Sequence, residues 1–237
     1  MSGSLADLRR LASERVLSHI ESGMIIGVGS GSTIGDSFLP LLAEKIRVGS
    51  LKDISLVPSS RQIEFRLLEE GLKTTSLNQI DYLDVTVDSA DLVERESLTA
   101  IKGGGGALLL ERVLNAVSKK VVLVLDERKV TEKVPPGFPI PVEVLQGLVL
   151  FVKRRIEKTL GVGPRIRTGS GKVGPVITDF GNAILDVPLP ENRGLDWLDD
   201  FFNNTPGILE NGIFKGIVSY AYVGTSNGVL ELERRRQ

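Results

Sequence analysis

Apolar residues recur at helical spacing at Leu5, Leu8, Ala12, Val16 and Ile20, and Gly23 stops that pattern before the apolar run of residues 24–28. This predicts a helix followed by a buried strand. A glycine and hydroxyl turn, residues 29–33, leads to a second helical face made by Ile34, Phe38, Leu41, Leu42 and Ile46. A short strand at 55–57 and a helix over 61–70, closed by Gly71, repeat the alternation. The runs at 84–87 and 121–125 predict two more buried strands, the second rich in Val behind the polar edge Lys119-Lys120. Alternating strands and helices of this kind predict a parallel sheet.

The pattern changes after the proline-dense stretch of residues 134–141, which predicts a domain boundary. Beyond it come a strand, a basic helix over 148–160, a hairpin and a helix over 195–202. The hairpin is VITD and AILDV around Phe180-Gly181-Asn182. A strand-rich segment, 217–232, ends the chain, with a hairpin turn at 224–228. The expected architecture is α/β, with a larger domain of residues 1–138 plus 213–237 and a smaller α+β domain of residues 139–212.

Composition removes several classes of chemistry. Lys plus Arg number 29 against 30 acidic residues, so no global basic field invites nucleic acid or an anionic membrane. There is no Cys and a single His, His19, which removes disulfides, thiolate nucleophiles and the usual metal-ligand clusters. We expect no metal. No apolar run of about 18 residues predicts a membrane span, and Arg and Glu interrupt any signal-like centre near the N-terminus. The cytoplasm is the expected compartment, or the plastid stroma if a transit peptide was removed. His19 reads as a half-exposed helix residue, Trp197 as packed in the smaller unit, Lys153-Arg154-Arg155 as a helix face, and the charges at 231–236 as a solvated end.

Three stretches have the composition of a site. IIGVGSGSTIGDSF joins a strand to a helix through a turn whose N–H groups, with Ser30, Ser32 and Thr33, suit a phosphate. It lacks the Gly-Lys-Ser/Thr ending of a Walker loop and the third Gly of a dinucleotide fingerprint. The turn serves equally as a tight connection with Thr33 or a neighbour as N-cap. DVTVDSAD sets Asp88 and Asp91 at the carboxyl end of a predicted strand, as hydroxyl ligands or as an Asx turn or helix cap. IKGGGGALLLERVL holds four consecutive glycines, a costly run in conformational entropy that implies close backbone approach. Lys102 precedes the loop. Glu111 follows on an apolar stripe with Leu108 and Leu114, where an acid is paired, capping or catalytic.

Taken in order, GVGSGST, DVTVDSAD, KGGGGALLLE, VLDERK, PVEV and ITDFGNAILDV resemble the A-type ribose-5-phosphate isomerase family over nearly the whole chain. The resemblance implies a Rossmann-like parallel-sheet domain with a smaller inserted α+β domain of ferredoxin-like type. It also implies interconversion of ribose 5-phosphate and ribulose 5-phosphate without a cofactor, by a homodimer or homotetramer. Substrate contacts map onto Ser30, Gly31, Ser32 and Thr33, onto Asp88, Ser89, Ala90 and Asp91, and onto Lys102, Gly103, Gly104 and Gly105, with Lys129 as a further contact. The catalytic base maps onto Glu111, with Lys102, Asp88 and Asp91 as its catalytic companions. This chain has Ser89 where the family usually has Gly, Leu92 where it has an acid, and Phe180 where it has Asn. These departures keep open a weakly active or non-catalytic sugar-phosphate-binding paralogue.

Overall fold

Ser4 opens the first helix, α1 (Leu5–Val16), with a reciprocal cap: its hydroxyl accepts from the Asp7 N–H at 3.2 Å while the Asp7 carboxylate accepts from the Ser4 N–H at 2.9 Å. The computed structural model describes residues 4–171 and 173–234. In chain order follow β1 (Ile25–Val28), a π-helical turn (Ile34–Phe38) running into α2 (Leu39–Arg47), β2 (Ser55–Pro58), α3 (Arg61–Glu69), β3 (Val85–Asp88) and β4 (Leu92–Glu94). Then come β5 (Ala100–Ile101), α4 (Leu108–Ala116), β6 (Val121–Asp126), β7 (Val130–Thr131), β8 (Pro139–Val144), α5 (Val149–Leu160) and β9 (Arg165–Ile166). The last elements are β10 (Ala183–Pro188), α6 (Leu195–Asn203), β11 (Ile208–Asn211), β12 (Ile213–Phe214), β13 (Tyr220–Thr225) and β14 (Gly228–Glu233). Two compact units result: Met1–Ala100, Leu110–Glu132 and Phe214–Gln237 form one, and Ile101–Leu109 with Lys133–Ile213 form the other.

The first unit is built on a six-stranded sheet of order β14-β13-β6-β3-β1-β2, parallel except for the antiparallel edge strand β14. All six residues of β6 are buried, as a strand covered on both faces requires. Ile26, Val28, Val85, Val87, Val122 and Val124 of the sheet pack with Ile34, Phe38, Leu42, Ile63 and Leu67 of the helical segments. The order places β2 on one side of β1 and β3 on the other. Their carboxyl ends therefore flank a topological switch point, where open α/β sheets receive ligands.

The second unit runs β8-α5-β9-β10-α6-β11 and pairs as β11-β8-β10-β9, with every observed pairing antiparallel. That succession and order are ferredoxin-like. The expected hairpin differs: residues 175–177 form isolated bridges, Ile177 with Ala183 and Pro175 with Thr168, and no continuous strand, while β10 is paired with β8 on one edge and β9 on the other. The turn is closed by the Thr178 N–H donating to the Asn182 carbonyl at 2.8 Å and is held further by Glu143, whose carboxylate accepts from the Thr178 hydroxyl at 2.7 Å and the Asn182 amide at 2.9 Å. Phe180 lies outside these bonds and is exposed. Trp197 is exposed, stacked on Phe201 with the Arg193 guanidinium over its ring. Among the described residues, no helix is long and apolar enough to cross a membrane. Of the charged end at 231–236, residues 235 and 236 lie outside the described residues.

His19, half-buried after α1, is tied to β13 and to the residue that precedes β6. Lys120 Nζ lies 3.3 Å from its Nδ1 and the Tyr222 hydroxyl 2.8 Å from its Nε2. An ammonium only donates, so Nδ1 accepts and Nε2 carries the hydrogen. Burial first, and the Lys120 charge second, hold the imidazole pKa below its ordinary value of 6.5. The unfolded chain then binds more protons below that pH, so the His19 contribution is complete above about pH 6.5 and is lost as pH falls through the lower folded value. Denaturant midpoints at pH 7.5 and at progressively lower pH are expected to fall more for the wild type than for His19→Gln; equal slopes would refute this.

Candidate functional site

The turn after β1 closes on β3. Gly29 donates its N–H to the Val87 carbonyl at 2.8 Å, and a Cβ built on it would stand 2.1 Å from an Asp88 carboxylate oxygen. Only glycine permits this approach, which brings the serine-rich turn against the end of β3. Ser30 is buried and donates its hydroxyl hydrogen to Ser60 Oγ at 2.8 Å. Its one hydrogen being used, Ser59 must donate to Ser30 across the 2.5 Å contact. Ser60 in turn caps α3 by accepting from the Ile63 N–H at 3.3 Å. Gly31 donates its N–H to Gln62 Oε1 at 3.1 Å. Ser59, Ser60 and Gln62 were not expected here, although hydroxyls between a strand end and a helix start are an N-cap signature that sequence alone displays.

Thr33 makes no side-chain capping bond. Its hydroxyl accepts from Lys129 Nζ at 3.4 Å, and the same ammonium donates to Ser89 Oγ at 3.1 Å. One cation thus links the turn after β1 to the segment after β3, and Ser89 supplies a hydroxyl there. The π-helical turn that begins one residue later, Ile34–Phe38, is of a type concentrated at functional sites.

Lys129 owes its position to Asp126. That carboxylate is fully buried at the end of β6 and caps the single turn Glu127–Lys129 by accepting from the Arg128 N–H at 3.3 Å. Arg9 Nε at 3.0 Å and Arg128 Nε at 3.1 Å complete its shell. Burial pushes this acid upward, but the hydrogen bonds and charges of Arg128 and Arg9 outweigh it and hold its pKa below the ordinary aspartate value. Arg9 is remote in sequence and gave no signal.

Asp88 is fully buried and accepts from the Ser89 N–H at 2.7 Å; Ala90 is buried and Asp91 half-buried beyond it. Glu111 is only 5% exposed in the first turn of α4, where the helix dipole favours a carboxylate. Leu108 and Leu114 are buried one turn to either side, as their spacing predicts. Asn115, one turn beyond Glu111, is also buried, and neither polar atom of its side chain has a hydrogen-bond partner among the described residues.

Lys102 and the glycine loop belong to the second unit. Lys102 is 3% exposed, and its N–H donates to the Gly212 carbonyl at 2.9 Å. Gly103 has φ +101°, and a Cβ there would press on Pro141 at 3.0 Å and Leu108 at 3.1 Å. Gly106 donates back to the Gly103 carbonyl at 3.0 Å, closing the loop as a turn. Gly104 and Gly105 are exposed. Among the described residues, no three of His, Asp and Glu gather as a metal site would need.

Fold and geometry define the class: an α/β protein with a candidate anion site at the carboxyl ends of its parallel strands. The family described as ribose 5-phosphate isomerase A (phosphoriboisomerase A) matches residues 55–228. A ribose-5-phosphate isomerase A of Pyrococcus horikoshii is 36% identical over 232 residues, 98% of this chain and 100% of that one. One of Trichodesmium erythraeum is 38% identical over 205 residues, 86% of this chain and 85% of that one. A D-ribose-5-phosphate isomerase solved in complex with phospho-erythronic acid superposes with a TM-score of 0.93 at 35% identity, covering 98% of this chain and all 100% of that one. The chain belongs to the ribose 5-phosphate isomerase A family.

Proposed function

We propose that this chain interconverts D-ribose 5-phosphate and D-ribulose 5-phosphate as an aldose-ketose isomerase, moving one proton through an enediolate. The observation that carries the reading is Glu111, a carboxylate nearly excluded from solvent at the head of α4, in a chain of this family. Glu111 takes the proton from carbon 2 of the open aldehyde while the carbonyl oxygen on carbon 1 gains electron density. The same group, now a carboxylic acid, returns the proton to carbon 1 as the oxygen on carbon 2 becomes the ketone, and the hydroxyl proton released by that oxygen passes to the oxygen on carbon 1, which ends as a hydroxyl. General base catalysis of this kind contributes roughly 10²–10⁴-fold, so the developing oxyanion must also be stabilised. Lys102 and the glycine-loop N–H groups take that role.

Asp88 and Asp91 position sugar hydroxyls and assist ring opening. The phosphate is held by Ser30, Gly31, Ser32 and Thr33 together with Lys129. A helix terminus alone contributes about 0.3–2 kcal/mol, so the hydroxyls and the ammonium share the binding. The Lys129 contacts with Thr33 and Ser89 support this, because they collect a cation beside the turn.

Ribose 5-phosphate incubated with the protein in deuterium oxide is expected to acquire deuterium at carbon 2 and to yield ribulose 5-phosphate. Binding with neither exchange nor product would instead make the chain a sugar-phosphate-binding paralogue. The departures from the family pattern weigh little towards that outcome: Phe180 is exposed away from the bonds of its turn, and Ser89 adds a partner for Lys129.

The protein is a homodimer or homotetramer in this reading. Leu145, Leu148, Leu150 and Phe151 of the second unit expose large apolar side chains, a feature typical of surfaces covered by a partner. Sedimentation velocity is expected to show no stable monomer at micromolar concentration; a monomer alone would refute this assembly.

A further inference from the structure

Within the second unit, the glycine loop is gripped by a side chain from β9's downstream end. Arg167 Nη1 donates to the Gly103 carbonyl at 2.6 Å and to the Gly104 carbonyl at 3.0 Å. Its other edge is occupied by Asp186 on β10: Nε donates to Oδ2 at 3.0 Å and Nη2 to Oδ1. Pairing of Asp186 with Arg165 across the sheet sets that acid two residues from Arg167, and both side chains are largely buried. The guanidinium is therefore fixed by a two-pronged ion pair before it meets the loop.

Fixing two carbonyls fixes two amides. A trans peptide is planar, and its N–H points opposite to its C=O. The carbonyl of Gly103 shares a plane with the N–H of Gly104, and the carbonyl of Gly104 with the N–H of Gly105. With both carbonyls turned onto Arg167, those two N–H groups are directed away from it, on residues that are exposed. A glycine run on its own samples many peptide orientations, and a donor pair that must first be ordered stabilises a transient anion poorly. The Gly106 bond back to Gly103 closes the loop but leaves the Gly104–Gly105 peptide plane unset.

We propose that Arg167, held by Asp186, is a positioning residue that presets the Gly104 and Gly105 N–H groups as donors to the enediolate oxygens. The proposal rests on the isomerase reading above. A guanidinium suits the task because it bonds a carboxylate and a pair of carbonyls in one plane, and a lysine ammonium does not. Polarisation of each carbonyl by the cation also strengthens the opposite N–H as a donor.

The test compares Arg167→Ala and Arg167→Lys with the wild type and with Glu111→Gln. Both Arg167 variants are expected to lose roughly tenfold to a hundredfold in kcat with KM changed less than about threefold, and added guanidinium ion is expected to restore part of the kcat of Arg167→Ala. Phosphoerythronic acid, whose carboxylate places charge near the enediolate position, is expected to bind Arg167→Ala about tenfold more weakly by calorimetry, with inorganic phosphate affinity unchanged. Unchanged kcat, a loss confined to KM, a loss matched by loss of folded protein in circular dichroism, or equal weakening towards phosphate overturns the proposal. Activity retained in Glu111→Gln would overturn the assigned base instead, while the phosphoerythronate comparison still decides the Arg167 role.

Discussion

Glu111→Gln is expected to fold, to bind ribose 5-phosphate with affinity close to the wild type, and to turn over roughly 10²–10⁴-fold more slowly. The substitution preserves shape and leaves an amide in the place of the acid at a position 5% exposed, so the buried volume of the side chain is retained. What it removes is the one property the proposal requires, a group that accepts a proton at one carbon and releases it at the next. An amide does neither at neutral pH. Calorimetric binding together with carbon-2 exchange separates the two functions: binding without exchange is the expected pair. Near-normal exchange would assign the proton to another residue.

The second large effect concerns Lys102. This side chain is 3% exposed, and a buried ammonium is costly unless its surroundings supply compensating charge and hydrogen bonds. Lys102→Ala is expected to lower kcat roughly 10²–10³-fold and to change KM far less, because charge on the sugar oxygens is largest in the transition state. Lys102→Met, which keeps the length of the chain, is expected to show the same loss and guards against a defect of packing. Steady-state kinetics settle the point. A change confined to KM would make Lys102 a residue that binds substrate and transition state alike.

Much of the candidate site is written in short segments, which made it legible. The turn after β1 is a strand, a glycine run and a helix start within one stretch of chain, and Asp88 ends a strand in the same way. Glu111 stood out as an acid between Leu108 and Leu114, both of which are buried. The partners of these groups were less legible. Ser59 and Ser60 meet Ser30 from the end of the neighbouring strand β2, and Arg9 reaches Asp126 over 117 positions. Arg167 carried no signal in the sequence, yet it binds Gly103 and Gly104 more than 60 positions away.

The hairpin itself shows why. Alternation in VITD and AILDV marks two extended segments but carries no information on which strand will occupy each hydrogen-bonding edge. In the folded unit β8 and β9 flank β10, and Val176 and its neighbours are left with isolated bridges to Thr168 and Ala183. Likewise the strand β8 begins at Pro139, inside the proline-rich stretch that local composition marks as a break.

Hydrophobic periodicity, glycine turns and caps depend on neighbours a few residues apart, and these were enough to indicate the alternating elements, the parallel sheet and the three glycine- and acid-bearing stretches. Strand order, the bridging of Thr33 and Ser89 by Lys129, and the grip of Arg167 on the glycine loop depend on which distant segments share an edge or a plane. Those choices are made by burial and hydrogen-bond satisfaction over the whole fold, and only the tertiary structure records them.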